Sequence, residues 1–169
     1  MDHLVDGIDR LNEFIGRACA WLLLPMVALA FAVVALRYVA NVGYPWLSEA
    51  FVWLNGGIVL LAAADVLRTD QHVRVDLFFR RLSPQGRAAV DFFGVWLLLM
   101  PMVGVIGYLA WPTARFSAGI LERSPTPDGL PLLWVMKLLV VAFCALVALQ
   151  GVGLSARAWR TLRGSKGAS

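Results

Sequence analysis

The sequence predicts an all-α membrane protein with four transmembrane helices and an amphipathic interfacial helix at its N-terminus. Three observations support this prediction: 60% of the 169 residues are hydrophobic, only 15% are charged, and the uncharged stretches are long. Such a composition is typical of membrane proteins and not of soluble domains. A chain of this length is expected to form a single domain.

Four runs of 15 to 23 residues contain no charged side chain. A helix rises about 1.5 Å per residue, so about 20 residues cross a hydrocarbon core of about 30 Å. The second run, Ala50 to Ala64, is short, but apolar residues on both sides extend it to spanning length. The predicted transmembrane domain covers residues 18–163, with spans at about 18–40, 46–67, 88–114 and 135–157.

The first seventeen residues form a separate pattern. Leu4, Ile8, Leu11 and Ile15 recur at helical spacing and lie on one face. An apolar stripe beside a membrane span predicts a helix, residues 1–17, that lies along the membrane interface or against a partner helix. The alternative is a frayed polar leader. Acidic residues at the start of the chain argue against a cleaved signal peptide.

The distribution of Lys and Arg predicts the orientation. Eleven of these residues lie in the N-terminal segment, the 65–91 loop and the C-terminal tail, and four lie on the opposite side. The positive-inside rule therefore places both termini and the 65–91 loop in the cytoplasm. Because the basic residues lie beside apolar spans, they are expected to contact phospholipid headgroups, and nucleic acid is not an expected partner.

Turn and capping residues separate the spans. Asn41 to Pro45 has the composition of a turn, and Ser83 with Pro84 resembles a helix N-cap followed by the first helical position. The third helix is therefore expected to start well before Phe92. The segment SPTPDGLP, residues 124–131, predicts an exposed loop. Residues 164–169 are expected to form a flexible tail.

The spans lack the side chains of a membrane-embedded catalyst. None of the four uncharged runs contains Asp, Glu, Lys, Arg or His, which argues against a proton relay or an intramembrane catalytic dyad. The two histidines lie outside the spans, and the two cysteines are far apart within them, as buried apolar residues would be. The sequence predicts no catalytic residue, cofactor or metal site. The most polar residues of the spans are expected to form hydrogen bonds between helices; they are Asn55, Thr113, Gln150 and Ser155.

Two polar groups remain as candidate sites. Arg37 follows the first span and Glu49 opens the second, with a short turn between them. Two interpretations stay open: the side chains pair near the membrane interface, or each extends separately to headgroups. The second group is TDQHVRVDLFFRR, residues 69–81, which is interpreted as an active site, a basic anchor or a docking surface for a partner.

Together these residues resemble the small membrane subunit, the DctQ-type small permease, of the tripartite ATP-independent periplasmic (TRAP) transporters. The similarity is carried by LRYVANVGYPWLSEA at 36–50, by HVRVD at 72–76 and by the four-span layout. The motif residues matched by position serve as candidates for a structural or subunit-interaction role; they are Arg37, Trp46, Glu49, His72, Arg74, Val75 and Asp76.

The resemblance implies a function and two protein partners. It implies a non-catalytic subunit of a sodium-driven secondary transporter in the bacterial inner membrane, which binds a large elevator-type permease subunit. It also implies a periplasmic substrate-binding protein that delivers a small organic anion. The residues themselves leave open an alternative from another class: a self-associating four-helix adaptor or channel without a large permease partner.

Overall fold

The computed structural model describes residues 2–69 and 83–164, which form long helices joined by short connections. A single π-helical turn, Val95–Leu99, links the third and fourth helices into one continuous span. Four helical runs are long and apolar enough to cross a membrane, which confirms the predicted all-α membrane fold. The helices are α1 (Asp2–Tyr38), α2 (Pro45–Arg68), α3 (Pro84–Gly94), α4 (Met100–Gly119) and α5 (Leu133–Gly164).

Local sequence signals determine where these helices begin. Pro45 occupies the first turn of α2, where its missing N–H leaves no hydrogen bond unmade. Ser83 caps α3 because its side-chain oxygen accepts a hydrogen bond of 3.2 Å from the Gly86 N–H. The predicted capping role of Ser83 is thus confirmed, and so is the early start of the third helix. The turn before α2 contains Asn41 in the left-handed conformation, with φ 53°, which Asn tolerates better than most residues.

The π-helical turn has a cause in the sequence that follows it. Pro101 lies in the first turn of α4 and has no N–H to donate to the carbonyl of Leu97. The widened turn provides a different bond, in which the Met100 N–H donates to the carbonyl of Val95. Gly151 of α5 lies against this turn, where an added Cβ would approach Leu99 Cδ2 at 2.8 Å. Pro101 therefore favours the π turn, and the missing side chain of Gly151 leaves space for that turn against α5.

The helices form an open row with α5 in a central position. α2 packs between α1 and α5, and α5 also packs against α3 and α4. α1 additionally contacts α5 near both chain termini. Along the direction of the helix axes, the row has two ends. The start of α1 and the end of α5 lie at the same one, which we call the terminal end. The 39–44 turn and the 120–132 loop lie at the other, which we call the turn end.

The buried core is small for a chain of this length. Cys144 and Val147 of α5 pack with Ala64 of α2 and Val103 of α4. Many large apolar side chains of the spans are exposed on the surface of the row, especially on α1, where Trp21 and Phe31 are each 74% exposed. Cys19 and Cys144 are buried free thiols, as predicted from their position in the spans. Lipid or a partner chain is thus left to cover most of the apolar surface.

The N-terminal segment continues into the first span without a break. α1 includes the residues predicted to form an interfacial helix, and its division at residue 17 stays a prediction. Val5, Asn12 and Cys19, spaced seven residues apart, are buried. The predicted apolar stripe lies on an adjacent face: Leu11 is 45% exposed. The packed face of this segment is therefore not its most apolar one.

A glycine allows α1 and α2 to approach closely at the terminal end. A Cβ added at Gly16 would lie 2.9 Å from Asp65 Cβ and closer still to its carboxylate. Asp65 is held in place because Arg68 Nε donates to its Oδ1 over 2.8 Å. Arg68 also lies 3.6 Å from the Glu13 carboxylate of α1. The ion pair within α2 and the one that Arg68 forms across the crossing therefore depend on the missing side chain at residue 16.

We expect Gly16→Ala to destabilise the protein and Gly7→Ala to leave it unchanged or stabilise it. The first substitution forces Asp65 away, at a cost of about 1–3 kcal/mol. The second meets no atom within 4 Å and gains up to about 1 kcal/mol of helix propensity. Thermal unfolding of the two purified variants in the same detergent measures the difference. Equal transition temperatures would show that the crossing tolerates a side chain.

Candidate functional site

Glu49 organises the turn end of the molecule. Its carboxylate lies one turn into α2 and reaches the 120–132 loop between α4 and α5. One carboxylate oxygen, Oε1, accepts a short hydrogen bond from Ser124 Oγ. The other, Oε2, accepts a bond of 2.8 Å from the Leu130 N–H. The Glu49 side chain therefore joins α2 to both ends of the loop segment 124–130 through charge-assisted hydrogen bonds.

The loop segment held by Glu49 is itself closed by short hydrogen bonds. The Ser124 N–H donates to the carbonyl of Leu130 over 3.0 Å, and the Gly129 N–H donates to the carbonyl of Thr126 over 2.9 Å. Asp128 adopts a left-handed conformation with φ 57°. A Cβ on Gly129 would come within 2.8 Å of both Glu49 Oε2 and Ser124 Oγ. The loop thus has a defined shape in which a glycine is required beside the carboxylate.

The beginning of the same loop is fixed to the start of α5. After the last turn of α4, Leu121 takes a left-handed conformation with φ 48°, and the Glu122 N–H donates to the carbonyl of Ser117. This pattern is a Schellman-type helix end. Glu122 then forms an ion pair with Lys137 of α5 at 2.5 Å. The hydrogen bond from Lys137 holds the pKa of Glu122 below its ordinary value.

A cleft opens between the loop and the first turn of α2. It has a volume of about 490 Å³ and is lined by Trp46 of α2 together with Arg123, Ser124, Thr126 and Asp128 of the loop. Arg123 and Asp128 are exposed. The cleft therefore brings the indole of α2 close to a cation and an anion of the loop. Within the described ranges, no group of three His, Cys, Asp or Glu side chains forms a metal-binding cluster.

Arg37 and Glu49 do not form an ion pair in the part of the chain that the structure describes. Arg37 is exposed at the end of α1 and lines a separate cavity of about 220 Å³ with Tyr44 and Pro45. Glu49 instead takes its donors from the loop. The pairing interpretation is therefore not observed, and Glu49 contacts the loop of its own chain, which neither interpretation included. The reason is that a hydroxyl and a backbone N–H satisfy the carboxylate locally.

A second polar group connects α1 with α5 at the terminal end. Asn12 Nδ2 donates to Gln150 Oε1 over 2.6 Å, and Gln150 Nε2 donates to Asp9 Oδ1 over 3.0 Å. Arg157 donates to the second oxygen of Asp9 over 2.6 Å. Asn12 and Gln150 are almost completely buried. Both polar atoms of the Gln150 amide have partners, whereas Asn12 bonds through its Nδ2 and its buried Oδ1 has no partner among the described residues. Bonds between buried side chains favour a single relative position of the two helices.

The sequence indicated only part of this terminal network. Gln150 was expected to form a hydrogen bond between helices, and it does. Ser155 bonds back to the carbonyl of Val152 within α5 and so does not link helices. Asp9 and Asn12 were not identified because they lie in a segment read as interfacial. The seven-residue spacing of Asn12 from Val5 and from Cys19 is the signal that predicts a packed face there.

The HVRVD motif lies outside the described residues. His72, Arg74, Val75 and Asp76 belong to the connection between α2, which ends at Arg68, and α3, which begins at Pro84. The connection therefore starts and finishes at the terminal end, away from Glu49 and Trp46. The motif residues that the structure describes, Arg37, Trp46 and Glu49, lie at the turn end.

We expect Glu49→Gln to loosen the loop. A glutamine amide lacks the charge that strengthens both bonds. Its oxygen can accept only where one of the two carboxylate oxygens did, and its NH2 group then faces the other donor, Ser124 Oγ or the Leu130 N–H. Hydrogen exchange of the Leu130 amide should then become roughly five- to tenfold faster, as measured by mass spectrometry of the purified protein. Asp128→Asn is the matched control, because asparagine suits the left-handed conformation at this position. Equal exchange in the two variants would contradict the organising role of Glu49.

Comparison with known proteins identifies the family. The model of the DctQ component of the tripartite ATP-independent periplasmic transporters matches residues 26–161, which include the second half of the first predicted span and the other three predicted spans in full. No curated protein and no solved structure matches the chain. The match covers most of the sequence and agrees with the resemblance carried by residues 36–50 and 72–76. The chain therefore belongs to the DctQ family, the small membrane component of TRAP transporters.

Proposed function

We propose that this chain is a non-catalytic brace for a large, elevator-type permease subunit in a sodium-driven TRAP transporter. It would serve the uptake of a small organic anion that a periplasmic binding protein delivers. The observation that carries the proposal is the open row of helices, which has a small core but is joined at both ends. Such a structure suits a scaffold that has to hold its shape against a partner.

The two polar groups explain how the row keeps its shape. At the terminal end, Gln150 fixes α5 to α1 through Asn12 and Asp9. At the turn end, Glu49 fixes α2 to the loop between α4 and α5. Each group connects elements that are distant in sequence, so the helices cannot slide separately. We infer that the row moves as one body and broadens the anchorage of the transport subunit in the bilayer.

The proposed orientation follows from charge. The helix ends that flank the HVRVD connection, Arg68 and Pro84, lie at the terminal end. The N-terminal segment, the 65–91 loop and the C-terminal tail carry most of the basic residues, which supports a cytoplasmic position for this end in a bacterial inner membrane. The Trp46 cleft then faces the periplasm, the side on which the binding protein arrives. HVRVD is proposed as a contact with the large subunit, since it lies on the side opposite to substrate delivery.

Cysteine labelling tests this orientation. Gln85→Cys and Asp128→Cys, each in a background without Cys19 and Cys144, should react from opposite sides of the membrane. We expect an impermeant maleimide applied to intact spheroplasts to modify Asp128→Cys only, and to reach Gln85→Cys only after permeabilisation. Labelling of Gln85→Cys alone in intact spheroplasts would reverse the proposed topology.

Co-purification tests the brace. Expressed with the large subunit, the chain should purify as a one-to-one complex, and a homo-oligomer alone would favour the adaptor or channel alternative. Asp76→Asn should lower the thermal stability of that complex more than Arg80→Gln, the control in the same connection. Transport by the surviving complex in proteoliposomes should keep its substrate affinity. Full assembly with lost transport would instead make HVRVD part of the transport mechanism.

A further inference from the structure

An amide is exposed in the middle of a membrane-spanning helix. Asn55 lies ten residues after Pro45 and thirteen before Arg68, the two ends of α2. At about 1.5 Å per residue it is about 15 Å from the helix start, near the centre of a hydrocarbon core of about 30 Å. Its side chain is exposed and makes no hydrogen bond to any other residue in the described ranges.

The contrast with Gln150 shows why this position is unusual. Gln150, the other carboxamide within the apolar part of the spans, is fully buried and hydrogen-bonded to Asn12 and Asp9. An amide facing lipid has no partner, because hydrocarbon offers neither donor nor acceptor. Asn55 therefore needs a partner from outside this chain in order to be satisfied at that depth.

The surface around Asn55 suits a helix better than lipid. Ser48, Val52 and Val59 share its face at spacings of four, three and four residues, and all four side chains are exposed. We call these four residues the α2 ridge. None of them is aromatic, whereas the exposed face of α1 carries Trp21 and Phe31. Serine and asparagine are among the residues that pack closely or form hydrogen bonds between helices in membranes.

The ridge is also distinct from the surfaces that α2 already uses. Ala64 belongs to the core shared with α4 and α5. Gly57 lies against Leu139 of α5, and Asp65 lies against Gly16 of α1. These contacts occupy other sides of α2. A helix packed on the ridge would therefore displace nothing in the row.

We propose that the α2 ridge is the surface on which a transmembrane helix of the large subunit packs, with a hydrogen-bonding group of that helix opposite Asn55. This inference rests on the proposed function, which supplies the partner. Lipid is a poor occupant because it cannot bond the amide. The close approach allowed by Ser48, Val52 and Val59 brings the partner backbone or side chain within hydrogen-bond reach.

The first test separates the complex from the isolated chain. Asn55→Leu should weaken association with the large subunit roughly three- to tenfold, measured by energy transfer between labelled subunits in proteoliposomes. It should leave the thermal stability of the isolated chain unchanged or higher. Gln150→Leu is the matched control: its amide bonds lie within the chain, so it should destabilise the isolated chain itself. An Asn55→Leu variant that binds as tightly as the wild type would overturn the proposal.

The second test identifies the occupant. p-Benzoylphenylalanine at residue 59, in the intact complex, should cross-link to the large subunit on irradiation. Cross-links to lipid only, or to a second copy of this chain, would also overturn the proposal. If the wild-type chain fails to bind the large subunit at all, the proposed function fails; if it binds without involving residues 55 and 59, only the ridge assignment fails.

Discussion

The hydrogen bonds of Gln150 are the interaction on which the arrangement of the helices most depends. The bond to Asn12 is buried and the bond to Asp9 is partly buried, and together they join α5, the helix with the most neighbours, to the first turns of α1. An amide buried in an apolar interior without partners is costly, so alternative positions of α1 are disfavoured. Arg157 extends the same group by neutralising Asp9. The polar group of Gln150, Asn12 and Asp9 therefore determines how α1, whose side chains are mostly exposed, is held against the other helices.

Much of the fold could be predicted from the sequence because its strongest signals are local. Uncharged runs indicated four spans, and Ser83 with Pro84 indicated the start of the third helix. Tertiary contacts were harder to predict. The apolar stripe with Leu11 predicted a helix along the membrane interface or against a partner helix, but it did not indicate the contacts within the chain, which Asn12 makes by hydrogen bonding and Gly16 by close approach. The partners of Glu49 were also missed, because they come from a loop some eighty residues away.

The two ends of the row are held by different chemistry. At the terminal end the bonds are buried amides and a carboxylate paired with arginine, which depend on low solvent access. At the turn end the bonds of Glu49 are half-buried and include a backbone N–H, so they shape a loop that remains open to solution. The terminal end is consequently suited to fix helix positions, and the turn end to present a surface of defined shape.

The π-helical turn at Val95–Leu99 has a consequence for the third span as a whole. An α-helix advances about 100° per residue, so the extra residue of a π turn rotates the following side chains by about that amount relative to an unbroken helix. The face of α3 that meets α5 near Trp159 is thereby offset from the face of α4 that meets it near Cys144. The two halves of the span, although differently phased, therefore both pack against the same central helix.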